Sequence, residues 1–282
     1  MSEKAKNRLI DALLVAMMIA PFVLAMALKV LFTPAEEGIS ISGALVFLEI
    51  PLPLMPLQIT EALVNSWAVI IAVLGLCLFL TRHLSVRPAG KRQLIAEWVV
   101  EKVSNLVNEN MGPALKAFAP YIAAILAISA LSSLSSLLGL YPPTADISII
   151  AGWAIMTFLL ITHYKLKVGL WGYVKGFFEP IPFFAPLNII GEVATPLSMS
   201  FRHYGNVLSG VVVSTLIASA LRGLSAQLLG WLPGALGGVP FLQIGLPAVL
   251  SLYFDLFSGC MQAFIFAMLT MLFVATAGPE EE

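Results

Sequence analysis

Two stretches near the end of the chain, Asn188 to Leu221 and Phe241 to Ala277, run for some 34 and 37 residues with almost no charge. A helix rises ~1.5 Å per residue, so each is longer than the ~30 Å hydrocarbon core of a bilayer requires. In lipid, backbone N–H and C=O groups must be satisfied internally, which leaves only helices or a closed barrel. A barrel would show alternating segments of about ten residues, and the chain has no such pattern. Leu9–Phe32, Ile59–Leu80, Pro113–Leu140 and Ile147–Tyr164 are further apolar runs. The pattern predicts an all-α polytopic membrane protein with about six crossings. Its last two helices form a hairpin and are long enough to be tilted or broken. Composition agrees: 11% of residues are charged, against ~25% in soluble domains.

Between these runs the charges mark the loops. Leu9–Phe32 carries Asp11 near its start and Lys29 near its end. It exceeds the ~7–15 residues of a signal-peptide core and lacks a small-x-small cleavage pattern, so a retained span is expected. Thr33–Gln58, with Glu36, Glu37, Glu49 and several prolines, reads as an extramembrane loop. Glu61 and Asn65 are expected at headgroup level. Arg82, His83, Arg87, Lys91 and Arg92 form a basic cluster. After it, Leu94, Ile95, Trp98, Val99, Val103, Leu106, Val107 and Met111 repeat at the helical period opposite Glu97, Glu101, Asn105 and Glu109. This predicts one interfacial amphipathic helix over 94–111, lying along the membrane. Ser129, Ser132, Ser133, Ser135, Ser136 and Gly139 suit close helix packing. Lys165–Pro180, basic and aromatic, reads as a loop at the headgroups. Arg222–Pro240, rich in glycine, reads as the hairpin connection, and GPEEE as an acidic soluble end.

The positive-inside rule gives the orientation. With six crossings, segments 1–8, 82–116 and 165–175 fall on one side and hold twelve of the fifteen lysines and arginines. Both termini are then expected in the cytoplasm.

Arg202 stands within an apolar run. Arginine cannot shed its proton, and a charge at the centre of a membrane helix costs at least about 2.5–3.5 kcal/mol. Residues at i, i+4 and i+7 share a helix face. Arg202, Asn206 and Ser209 make one such row; Ser251, Asp255, Ser258 or Gly259, and Gln262 make another on the last helix. Intramembrane charges mark ion pathways. The division of labour expected here is a proton-exchanging carboxylate, Asp255, beside a permanent positive barrier, Arg202. A buried Arg202–Asp255 ion pair locking the hairpin is the structural alternative. Glu192 lies near one end of the arginine helix, and His203 is an accessory candidate. Gly205 and Gly210 would allow a close neighbour. Cys77 and Cys260 read as buried small side chains, and no ligand spacing or CxxC occurs. There is no GxxxxGK[ST] loop. No metal, disulfide or other cofactor is expected.

FRHYGNVLSG around Arg202 and Asn206 strongly resembles the arginine-bearing helix of subunit a of F-type ATP synthases. SSLLGLYPPTADIS (135–148), GEVATPLSMSFR and MQAFIFAMLT (261–270) follow the same family in the same order, and the likeness covers about residues 45–277. The resemblance implies one membrane domain over 1–282, with 9–32 as an extra N-terminal span. It implies a non-catalytic stator subunit that carries ions, most simply protons, through two half-channels to a ring of c subunits. Arg202 would face the ring carboxylate, with Asn206 and Gln262 as polar supports. Glu192 would match the cytoplasmic half-channel, and Asp146 a polar position near the outer one. Further implied partners are the peripheral-stalk b subunits, indirectly the soluble ATPase sector, and lipid; nucleic acid is not among them. The implied location is a bacterial plasma membrane.

The chain departs from the family pattern in places. Val211 stands where many relatives carry glutamate or histidine, so outer-side titration would rest on Asp255. His203 replaces an apolar residue, and Ser136 an asparagine. A self-contained secondary transporter is the alternative from another class. It would need paired broken helices, which the sequence lacks.

Overall fold

In the computed structural model, residues 3–33, 43–53, 56–86, 90–178, 181–231, 239–243 and 245–277 are described. Glu36, Glu37, Arg87, much of the glycine-rich connection and the acidic end lie outside them. Helices form where the apolar runs predict: α1 (Glu3–Phe32), α2 (Glu61–Thr81), α4 (Ala119–Leu134) and α5 (Ile147–Val168). A 3-10 stretch, Pro113–Phe118, leads into α4. α7 (Ala185–Leu229) is one helix of 45 residues despite Pro196. At ~1.5 Å per residue it is roughly 68 Å long, so it can lie in a bilayer only with strong tilt. The final stretch is α8 (Leu246–Ser251), a π-helical segment Leu252–Ser258, and α9 (Gly259–Ala277). Among the described residues, six helical segments are long and apolar enough to cross a membrane.

α3 (Lys91–Met111) is the amphipathic helix. Its second half docks: Val107 and Met111 are buried with Phe118 and Ile122 of the α4 side and Met271 and Val274 of α9. Its first half leaves Leu94, Ile95 and Trp98 exposed. One apolar stripe is thus docked along its second half and exposed along its first.

Expectations change in several places. The 33–58 loop contains an antiparallel hairpin, β1 (Val46–Ile50) with β2 (Leu57–Thr60); Val46, Phe47, Leu48 and Ile50 have the β-branched and aromatic character that suits strands. The 165–180 loop is helical instead: α5 runs to Val168, and α6 (Leu170–Phe177) follows after Gly169, whose φ of 145° few other residues tolerate. Arg222 to Leu229 belongs to α7, so the connection is shorter than its glycine content implies. Glu61 is buried within the chain, at 2% exposed. Cys77 is exposed instead of buried.

Small residues bring the helices together, as lipid supplies no hydrophobic drive for association. A Cβ at Gly259 would stand 2.7 Å from Ser133 Cβ, and one at Gly210 would stand 3.0 Å from Phe254 Cβ. Gly205 has nothing near a would-be Cβ. Of the two motif glycines, then, only Gly210 packs within the chain. Gln243 donates to the Ala218 carbonyl at 2.7 Å, and Ser225 Oγ accepts from the Leu242 N–H, which folds the hairpin back onto α7.

Candidate functional site

Helix α7 carries two faces of opposite chemistry. Arg202, Asn206 and Ser209 are exposed in one row, as their spacing predicts. Phe201 and Leu197 beside them are also exposed. Among the described residues Arg202 has no hydrogen bond or ion pair, so the locking pair with Asp255 is not formed. His203, about 100° round the helix, is fully buried. Its Nε2 lies 3.4 Å from Ser129 Oγ, and its ring meets Trp153 and Phe266 edge to face. His203 therefore points into the bundle, away from the arginine row.

The last helix presents its polar residues differently from a regular α-helix. Asp255 sits in the π-helical segment and accepts from Ser251. Hydrogen bonds from i to i+5 widen the turn, so the seven-residue step from Asp255 to Gln262 no longer keeps one face. Gln262 is 3% exposed, and its Oε1 accepts from Asn206 Nδ2 at 3.4 Å. The side-chain amides thus brace α7 against α9 one turn from Arg202, while Asp255 stays half-buried nearer the hairpin end.

Glu192 is held from two neighbouring helices. Lys165 of α5 pairs with it at 2.8 Å, and Tyr173 of α6 hydrogen-bonds to it. Burial first, then the Glu192 charge, raises the Tyr173 phenol above its ordinary value. A cavity of about 80 Å³ is lined by Lys165, Glu192, Thr195, Phe273 and neighbours. A groove of about 250 Å³ is lined by Thr195, Ser198, Phe273 and Arg202 among others. Thr195 and Phe273 border both, so the two spaces follow each other along α7 from Glu192 to Arg202.

Asp146 caps α5, accepting from the Ser148 N–H at 2.9 Å. It ends the turn that carries Thr144, whose hydroxyl meets Ser133 Oγ at 3.1 Å. Arg202, Asn206 and Gln262 are thus gathered at one place, with Glu192 reached along the groove. Asp255 and Asp146 make no hydrogen bond to that cluster among the described residues; Ser251 and Ser148 are their hydrogen-bond partners. Lys165 and Tyr173 escaped the sequence reading. Glu192 lies 27 residues from Lys165, beyond any helical period.

The model of the family described as ATP synthase A chain matches residues 63–275. The chain belongs to this family. ATP synthase subunit a of Moorella thermoacetica is 31% identical over 222 residues, 78% of this chain and 91% of that one. The Bacillus pumilus subunit is 34% identical, covering 73% of this chain and 86% of its own. A sodium-ion-specific subunit a of Propionigenium modestum is 28% identical, over 77% and 73% of the two chains. As a member of the ATP synthase A chain family, the chain is an integral membrane protein that translocates ions as part of a multisubunit complex. Such membership places α1 outside the matched residues and Arg202 well inside them.

Proposed function

We propose that Arg202 is the fixed charge past which the carboxylates of a c-subunit ring move, and that the chain provides two offset half-channels to that ring. The observation that carries this reading is the exposed guanidinium on an apolar helix, with no partner among the described residues. A free charge there is costly in lipid, and a passing carboxylate would repay it. Attraction to Arg202 favours the deprotonated ring carboxylate, and its permanent charge blocks direct leakage between the half-channels. Glu192, with the groove through Thr195 and Ser198, serves the cytoplasmic side. Asp255 and Asp146 serve the outer side, with Ser209 and His203 as accessory groups. Asn206 and Gln262 fix the face that Arg202 presents.

The ion is a proton in this reading, since Glu192 and Asp255 are carboxylates that can exchange one. The subunit itself is non-catalytic; ATP chemistry belongs to the soluble ATPase sector, reached indirectly through the c ring and peripheral-stalk b subunits. The chain forms one membrane domain, 1–282, with 9–32 as an added span and 45–277 as the family region. It lies in a bacterial plasma membrane among lipid, with both termini in the cytoplasm. In reconstituted vesicles of the whole complex, Arg202→Ala abolishes ATP synthesis driven by a pH gradient. Full coupling in that variant overturns the assignment, and synthesis driven by a sodium gradient alone overturns the choice of ion.

A further inference from the structure

Helix α1 lies outside the family match, yet it is fastened to α2 at both ends. At one end Asp11 pairs with Arg82 at 2.9 Å and Arg92 at 3.1 Å. At the other, Lys29 pairs with Glu61 at 3.1 Å and donates to the Gly139 carbonyl at 2.8 Å. Asp11 and Lys29 are 18 residues apart, roughly 27 Å at ~1.5 Å per residue. That span matches the ~30 Å hydrocarbon core. Between the two clamps the helices touch closely: a Cβ at Gly75 would stand 3.2 Å from Met18, and Ala25 is 1% exposed.

The Lys29 clamp differs from the other in its burial. Glu61 is 2% exposed, and a buried carboxylate stays in place only when paired and hydrogen-bonded. Lys29 supplies the charge, and the Tyr141 N–H supplies a hydrogen bond to Glu61 at 3.0 Å. One turn along α2, Asn65 is fully buried and donates to the Tyr141 carbonyl at 2.8 Å. Its Oδ1 has no partner among the described residues. The Tyr141 hydroxyl in turn donates to the Ala145 carbonyl at 3.1 Å. The turn from Gly139 to Asp146 therefore hangs from Lys29, Glu61 and Asn65. This same turn carries Thr144 and Asp146.

We infer that Lys29 and Glu61 form a positioning pair: α1 acts as a permanent counter-ion-bearing brace that sets the outer-side turn and, through it, the approach of ions to Asp146. The inference rests on the proposed outer role of Asp146, and Arg202 plays no part in it. Lys29→Met leaves an uncompensated buried carboxylate, which displaces the turn. Lys29→Met/Glu61→Gln removes both charges at nearly constant volume and restores it.

The test uses the whole complex in vesicles, with rates expressed per assembled complex and measured against proton concentration on the outer side. Lys29→Met raises the outer half-saturation about fivefold, while the maximal rate stays within twofold. Lys29→Arg leaves both unchanged, and the double variant returns the half-saturation to within twofold of the parent. If Lys29→Met prevents assembly, the double variant restores it. An unshifted half-saturation in assembled Lys29→Met overturns the inference, as does a double variant no better than the worse single one. A loss of maximal rate with unchanged half-saturation in Lys29→Met also counts against it. Failure of Arg202→Ala to uncouple would strike the arginine assignment alone and leave this result standing.

Discussion

Arg202 and Asp255 were candidates for a mutual ion pair, and the folded chain keeps them separate. Arg202 lies open on α7, while Asp255 takes a hydrogen bond from Ser251 within a π-helical segment. In the proposed function the two charges do different work. An arginine cannot exchange protons, whereas an aspartate can, and an amide in its place cannot. Asp255→Asn is expected to slow proton-driven ATP synthesis at least tenfold, about 1.4 kcal/mol in barrier, with assembly unchanged. Stopped-flow or steady-state synthesis assays on vesicles check this, and an unaltered rate would move the outer relay to Asp146. His203 shows how spacing alone misleads at this scale. It neighbours Arg202 in sequence, but 100° of helical rotation places it among Ser129, Trp153 and Phe266.

At the level of elements, the last hairpin owes its geometry to missing side chains. Gly259 admits Ser133 of α4, and Gly210 admits Phe254 of the π-helical segment. At Gly259 the obstacle is Ser133 Cβ, an atom tied to the α4 backbone, so little can yield. Gly259→Ala should cost about 1–3 kcal/mol by overpacking and lower the thermal midpoint of the detergent-solubilised complex. Gly205→Ala meets open space and should leave that midpoint unchanged, which makes it the matched control. The turn before α5 adds a second elemental feature. Burial first, then Asp146, Tyr204 and Glu61, raises the Tyr141 phenol above its ordinary value of 10.0. The stability contributed by its neutral form is present below pH 10 and is lost as pH rises past the folded value. An alkaline fall in the thermal midpoint that Tyr141→Phe diminishes is the expected outcome.

Across the whole molecule, the ion pairs of α1 sit at the two ends of its apolar span. Asp11 joins Arg82 and Arg92 on the basic side, and Lys29 joins Glu61 on the other. The crossing number and the amphipathic α3 were legible from hydropathy because lipid forces every backbone polar group into a helix. The arginine row was legible because helical spacing is local. The β-hairpin, α6 and the π-helical segment were not, since each run is only four to eight residues long, too short for its pattern to stand out. Membership of the ATP synthase A chain family was carried by short motifs around Arg202, Asp146 and Gln262. What the sequence alone determined is therefore the set of membrane helices and the presence of a fixed cation among them. Only the tertiary structure decided which charges meet: Lys29 with Glu61, Lys165 with Glu192, and Arg202 with no other described residue. These pairings join residues 27 or more positions apart. Their energies depend on distance and burial across helices, quantities that no local pattern encodes.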